Sequence, residues 1–288
     1  FVMDGVLNVF KPAGMTSFDV IAFLRRVYGQ KKIGHGGTLD PMAAGVLPVF
    51  LGKATRLIEY APIHRKKYEA EFIMGIATDT EDMTGRVVET GDVNSDRAVW
   101  EEVISRYRGR IKQIPSQYSA IRVNGKRAYK LAREGEDVKL PEREVDIYHL
   151  SIREIRLPRI FFSVECSSGT YIRALGRDIG KELGIPMTMS FLLRTAMGTF
   201  TIGEAKTLEE IEQCPEESII HDIRSLLTDL DSVQLSEEKA KAFLQGKRIP
   251  FSENIGKTVS VFYENTFLGI AEVKEKILFP KKVFGESK

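Results

Sequence analysis

Gly34-His35-Gly36-Gly37-Thr38-Leu39-Asp40-Pro41 is the stretch on which the reading of this chain turns. Three glycines, a histidine and one carboxylate stand just ahead of an apolar run from Val46 to Leu51. Glycine tolerates positive φ and close backbone approach, so the stretch reads as a shaped loop. Pro41 has a fixed φ and biases Asp40 towards extended conformations. A stiff backbone thus holds one carboxylate at the mouth of a loop, where binding and catalytic groups concentrate. Three readings compete for it. A phosphate cradle fails on spacing: Gly52-Lys53 is followed by Ala54, and Leu47 stands where GxxxxGK[ST] needs its first glycine. A structural turn, with Asp40 accepting backbone hydrogen bonds, stays open beside a catalytic carboxylate.

The chain has 288 residues, 43% of them hydrophobic, enough for one large domain plus a small one. Cys166 and Cys214 are the only cysteines, with no CxxC and no Cys/His cluster, which argues against a disulfide framework or a zinc site and fits a reducing cytosol. The longest apolar run, Met42 to Leu51, is half of the ~20 residues a membrane helix needs. The first residues lack the basic-then-apolar pattern of a signal peptide. A soluble, cytoplasmic protein is expected.

The net charge of +2 is less informative than its distribution. Residues 75–102 hold eight acids against two bases, and 204–231 hold nine against two. Bases gather at Arg25, Arg26, Lys31 and Lys32, at Arg65, Lys66 and Lys67, and between Arg122 and Arg143, where seven bases face four acids. Such segregation suggests a positive face for a polyanion, with an ordinary mixed surface as the alternative.

In chain order, Val6 to Phe10 reads as a short strand and Lys11-Pro12-Ala13-Gly14 as a turn. Ser17 reads as the N-cap of a helix whose stripe is Val20, Phe23, Leu24 and Val27, with Gly29 ending it. Tyr68 to Met74 alternates as a half-buried strand, in which Tyr68 reads as packing or as a ring beside a substrate. Asp79 to Gly85 is an acidic turn, and Ser95 to Tyr107, with the lone Trp100, an amphipathic helix. Tyr118 to Val123 reads as a strand into an Asn124-Gly125 turn. Lys126, Arg127, Lys130 and Arg133 follow with Tyr129 among them, either a mobile basic arm for nucleic acid or a charged surface segment. Ile160 to Cys166 is a strand. The helix after Gly169 buries Ile172, Leu175, Ile179 and Leu183 and stops at Gly184. Arg173 lies beside that stripe, so it should be partly buried and need an anionic partner, for which Asp40 is the candidate. The tail from about residue 230 reads as a helix, Ser236 to Gln245, and short strands over Thr258 to Tyr263 and Thr266 to Val273, a small unit with a marginal core of its own.

Taken together, these residues resemble the bacterial tRNA pseudouridine synthase B family. Gly5 to Ser17 is similar to its opening motif, Gly34 to Pro41 to its catalytic loop, Tyr118 to Gly135 to its thumb insertion, and Gly169-Thr170-Tyr171-Ile172-Arg173 to its arginine motif. The tail resembles an RNA-binding PUA domain. Departures are mild: Gly36 stands where many members have threonine, Ser116 where a second proline is common, and Arg122 where lysine is usual. The resemblance implies an α/β (α+β) catalytic domain over 1–229 around a largely antiparallel mixed sheet, with a thumb at about 118–143 and a β-barrel-like PUA domain over 230–288. It implies isomerisation of uridine 55 in the tRNA T loop, by a monomer that contacts the T-stem loop and acceptor end and needs no cofactor or metal. Asp40 would be the nucleophile, Tyr68 would stack on the flipped base and move a proton, and Arg173 would keep Asp40 ionised and oriented. His35, Tyr171, Leu192 and Lys11 would bind substrate, with His35 filling space vacated in the RNA loop. Arg122, Lys126, Arg127, Lys130 and Arg133 would be the thumb's RNA contacts.

Two other functions stand beside this one. An RNA glycosylase or glycosidase would pair Asp40 with a second acid such as Glu165 or Asp178. A non-catalytic chaperone would flip and release the tRNA loop without chemistry.

Overall fold

Tyr68, Ala70, Phe72 and Met74 are buried and alternate with half-exposed Glu69, Glu71 and Ile73, and this period of two makes the strand at the centre of the main sheet. The computed structural model describes residues 3–117, 122–123, 126–128, 140–252 and 255–285. Its large sheet has nine strands: β1 (Gly5–Lys11), β2 (Ile33–His35), β3 (Ala44–Leu51), β4 (Arg65–Met74), β7 (Gly109–Gln113), β10 (Arg143–Arg156), β11 (Arg159–Ser167), β12 (Met187–Met197) and β13 (Phe200–Thr201). Short pairs β5 (Ile76–Thr78) with β6 (Val87–Thr90), and β8 (Arg122–Val123) with β9 (Lys126–Arg127), form two separate ribbons. The main order is β1-β3-β12-β4-β11-β10-β7, antiparallel throughout except for the short β12–β3 contact. The expected mixed, largely antiparallel sheet is therefore present.

Helices cover it as their apolar stripes require. Helix α1 (Ser17–Tyr28) buries Val20, Ile21 and Leu24 against Leu7, Val9, Leu47 and Val49. Its N-cap is Thr16, in a capping box with Asp19, rather than Ser17; Ser17 is buried and its hydroxyl serves the loop before Asp40 instead. Helices α2 (Arg97–Ser105) and α3 (Ile172–Leu183) bring Trp100, Ile104, Leu175 and Ile179 onto Phe72 and Phe162. Gly176 of α3 allows the closest approach, since a Cβ there would stand 2.0 Å from the Phe72 ring.

β10 is a 14-residue strand absent from the periodicity reading. Bulges between Ile147 and His149 and between Ile152 and Glu154 shift the phase of its buried residues twice, so no single period of two runs through it.

After a short helix α4 (Leu208–Gln213), the chain enters a second sheet of β14 (Asp231–Gln234), β15 (Ile249–Pro250), β16 (Thr258–Tyr263), β17 (Thr266–Lys274) and β18 (Ile277–Val283), with helix α5 (Glu237–Leu244) against it. The sheet curls into a half-barrel, and β18 is a further strand that the sequence reading lacks. Leu57, Leu227 and Ile270 form a small apolar contact between the two sheets' surroundings. Arg56 stacks on Phe284 and donates to the Val283 carbonyl, and Lys282 pairs with Glu59 across the same seam. The marginal tail unit thus leans on the larger one, as its size requires. No helix among the described residues is long and apolar enough to cross a membrane.

Candidate active site

The loop that carries Asp40 is tied down by side chains that reach it from three directions. Leu39 is buried, and the Ser17 hydroxyl both accepts from its N–H (2.9 Å) and donates to its carbonyl (3.1 Å). From β12, the fully buried Arg194 donates to the carbonyls of Val46 (2.8 Å), Gly37 (3.1 Å) and Thr38 (3.3 Å). From β1, the fully buried Lys11 donates to the carbonyls of Met15 (2.6 Å), Pro12 (2.8 Å) and Pro41 (3.4 Å). Gly45, at φ 118°, lets β3 close on Arg194, since a Cβ there would stand 2.2 Å from the Arg194 carbonyl oxygen.

Asp40 is thereby placed in a cleft of about 300 Å3, walled by β4, the start of α3 and β12. Its carboxylate, 38% exposed, receives Arg173 Nη2 at 2.9 Å. Arg173 is 6% exposed and leaves α3 from beside the apolar stripe. Its other terminal nitrogen donates to the Thr80 carbonyl (3.1 Å) and lies 3.5 Å from the buried Asp82 carboxylate. Asp82 in turn accepts from the Thr80 hydroxyl (2.8 Å), the Thr84 N–H (2.9 Å) and the Thr84 hydroxyl. One guanidinium therefore bridges an accessible carboxylate and a sealed one. The next turn of α3 repeats the grip, with Arg177 held by Glu81 (2.6 Å) and Asp178 (2.8 Å).

Tyr68, Tyr171 and Leu192 line the same cleft. Tyr68 is buried, and desolvation pushes its phenol above the usual range. Tyr171 is fixed by Gln113, which accepts from its N–H (3.0 Å) and donates to its carbonyl (3.2 Å), while the Arg143 guanidinium lies over its ring. Lys66, which the sequence reading placed only in a basic cluster, also faces the cleft.

Two residues from the substrate-binding expectation lie elsewhere. Lys11 stands behind the loop with its donors spent on carbonyls, and burial brings its ammonium down to about 8; it shapes the loop and does not line the cleft. His35 sits on β2, half-buried and off the lining, with desolvation lowering its imidazole from the usual value. In the thumb, Arg122 pairs through its backbone with Arg127, and Val123 with Lys126; Lys130 and Arg133 lie outside the described residues. Glu165 and Asp178, the acids of the hydrolase reading, are engaged by Arg65 and Arg177 and do not line the cleft.

Comparison with known proteins agrees with this arrangement. Residues 25–172 match the family model described as TruB family pseudouridylate synthase (N terminal domain), and residues 232–284 match Pseudouridine synthase II TruB, C-terminal. The chain is 43% identical over 286 residues to the tRNA pseudouridine synthase B of Caldanaerobacter subterraneus subsp. tengcongensis, covering 98% of this chain and 99% of that one. It is 41% identical to the protein of the same name from Alkaliphilus oremlandii, covering 95% and 94%. Among solved structures, a crystal structure of a Cbf5-Nop10-Gar1 complex superimposes with a TM-score of 0.72 at 26% identity, covering 97% of this chain and 84% of its match. An H/ACA RNP bound to a substrate RNA containing 2′-deoxyuridine gives 0.70 at 25%, covering 98% and 85%. A glycine loop that presents one aspartate to a buried arginine, on a sheet shared with these proteins and at such identity over nearly its whole length, makes this chain a member of the TruB family of pseudouridylate synthases.

Proposed function

We propose that this chain isomerises uridine 55 in the T loop of tRNA to pseudouridine, with Asp40 as the nucleophile. The observation that carries this reading is a single accessible carboxylate, oriented by a buried arginine, in a cleft that also presents the rings of Tyr68 and Tyr171 and the apolar side chains of Leu39, Ile172 and Leu192. The relatives' shared name supports tRNA as the substrate. The net reaction exchanges the bond from ribose C1′ to N1 for one to C5; the C5 proton leaves and N1 gains one, so no electrons are exchanged with a cofactor. Asp40 forms the transient bond to the nucleotide while the base turns. Flipping the target out of its stack costs a few kcal/mol, offset by the Tyr68 ring and the apolar contact of Leu192. Tyr171 lines the opposite wall, and Tyr68 keeps its phenolic proton available for transfer. His35, outside the cleft on the same loop, would occupy space vacated in the RNA.

Residues 1–229 would act as the catalytic domain and 230–288 as an RNA-binding PUA domain reaching towards the acceptor end, with the 118–143 thumb closing on the T-stem loop. The protein would work as a cytoplasmic monomer. The glycosylase reading needs a second carboxylate near the scissile bond, and among the described residues Asp40 is the one carboxylate lining the cleft.

Incubation with unmodified tRNA, followed by chemical mapping of pseudouridine, tests the reading: one modified position in the T loop is expected. Asp40→Asn should bind tRNA and leave it unconverted. Conversion near the wild-type rate in that variant removes Asp40 from its role, and free uracil as product favours the hydrolase.

A further inference from the structure

Lys66 and Arg173 line the cleft, Lys11 and Arg194 stand behind its loop, and among the described residues all of these but Lys66 have protein partners. Arg173 holds Asp40 and Asp82, while Arg194 and Lys11 are each spread over three backbone carbonyls. Lys66 is different. It leaves β4 two residues before Tyr68, on the same side of the strand, and is half-buried where Tyr68 is buried. Its ammonium lies against the loop, 3.7 Å from where a Cβ on Gly37 would stand. Among the described residues no carboxylate or carbonyl engages it. The groups around it are Arg194 from β12, of like charge, and the Cys166 thiol from β11, which burial keeps neutral up to about 11; Asp40, on the loop, is already paired with Arg173. A half-buried ammonium without a counter-ion is unfavourable in the free protein.

Resting on the proposed function, we propose that Lys66 binds a backbone phosphate of the flipped nucleotide. A base that enters the cleft leaves its phosphodiesters at the rim, because the sugar joins them to the rest of the loop. Lys66 stands on that rimward side of the buried Tyr68. Gly37 keeps the adjoining surface bare, since a side chain there would meet the Met197 methyl at 2.6 Å and the Lys66 ammonium beyond it. The phosphate supplies the counter-charge that the protein does not.

Burial and Arg194 bring the Lys66 ammonium down to about 8. The cation is therefore present below that pH and lost above it, so its share of affinity should disappear as pH rises past 8. The test measures binding of unmodified tRNA to full-length Asp40→Asn protein, in which bound RNA stays unconverted. Adding Lys66→Met should weaken binding roughly tenfold at low salt and make the slope of log K against log salt shallower by about 0.7–0.9. Adding Lys66→Arg should keep the slope and abolish the extra loss above pH 8, because a guanidinium stays charged there. An unchanged slope in Lys66→Met, or a loss above pH 8 that persists in Lys66→Arg, overturns the contact. So does a Lys66→Met protein that melts lower while its slope is intact, which marks a structural lysine. If wild-type protein makes no pseudouridine, the isomerase reading falls by itself, and the salt slope still decides the phosphate contact.

Discussion

Replacing Arg173 by methionine keeps most of the side-chain volume while removing the charge that joins Asp40 to Asp82. The consequence for stability comes mainly from Asp82. Its side chain is 7% exposed, and loss of the guanidinium leaves a sealed carboxylate without a cation. Breaking a buried pair from one side costs about 3–5 kcal/mol. The 3.5 Å separation and the donors from Thr80 and Thr84 put this case at the low end, about 3 kcal/mol. Asp40 is over a third exposed, so its lost pairing adds little. For a chain of this size the melting temperature should fall by roughly 5 °C. Conversion should fall by at least about a hundredfold, because Asp40 loses its orientation. The assay follows tritium released from tRNA carrying [5-³H]uridine, since the C5 hydrogen leaves as C5 joins the ribose. The decisive comparison is Arg173→Met with Asp82→Asn: neutralising the stranded acid should restore about half of the lost stability and none of the activity. A double variant as unstable as the single one, or as active as wild type, refutes the bridge.

Tyr68→Phe should retain tRNA affinity within a few-fold and slow conversion, as stacking survives and the proton is lost. Because burial raises the Tyr68 phenol, the wild-type enzyme should show no fall in rate from its ionisation as pH approaches 10; a descending limb near 10 that vanishes in Tyr68→Phe contradicts this. Deleting the thumb between Asn124 and Lys139 should weaken tRNA binding and flatten its salt dependence. An unaltered salt slope in filter binding leaves the thumb without an RNA-binding role.

The partnership of Asp40 with Arg173 was legible because it follows from local rules. A residue adjacent to a helical stripe is pulled inward, an inward arginine requires an anion, and the proline-stiffened loop offered one. Asp82 was not legible: an acidic turn normally faces water, and its burial depends on Arg173 arriving from 91 residues away. The threonines at 80 and 84 were the available signal, since their hydroxyls and the Thr84 N–H house the carboxylate, while the Thr78 hydroxyl holds the Asp82 carbonyl. Arg194 was missed for the converse reason. It follows the apolar residues Phe191, Leu192 and Leu193 and looks like the solvent end of a strand, yet the Gly37 and Thr38 carbonyls that hold it belong to a loop more than 150 residues earlier. Two bulges hid β10 from any test of alternation.

Lys11 and Arg194 also resolve the apparent silence of the net charge. Each is fully buried, and both are satisfied by neutral carbonyls rather than by acids. A carbonyl cradle solvates a cation without cancelling it. At the cleft and behind its loop, Lys11, Lys66 and Arg194 therefore carry positive charge that no carboxylate ion pair among the described residues takes up, whereas Asp40 and Asp82 share Arg173. In a concave, partly dehydrated site such charge is focused rather than diluted. The same carbonyl bonds that hold the loop rigid thus leave the cleft attractive to an RNA backbone while Asp40 keeps a counter-ion of its own.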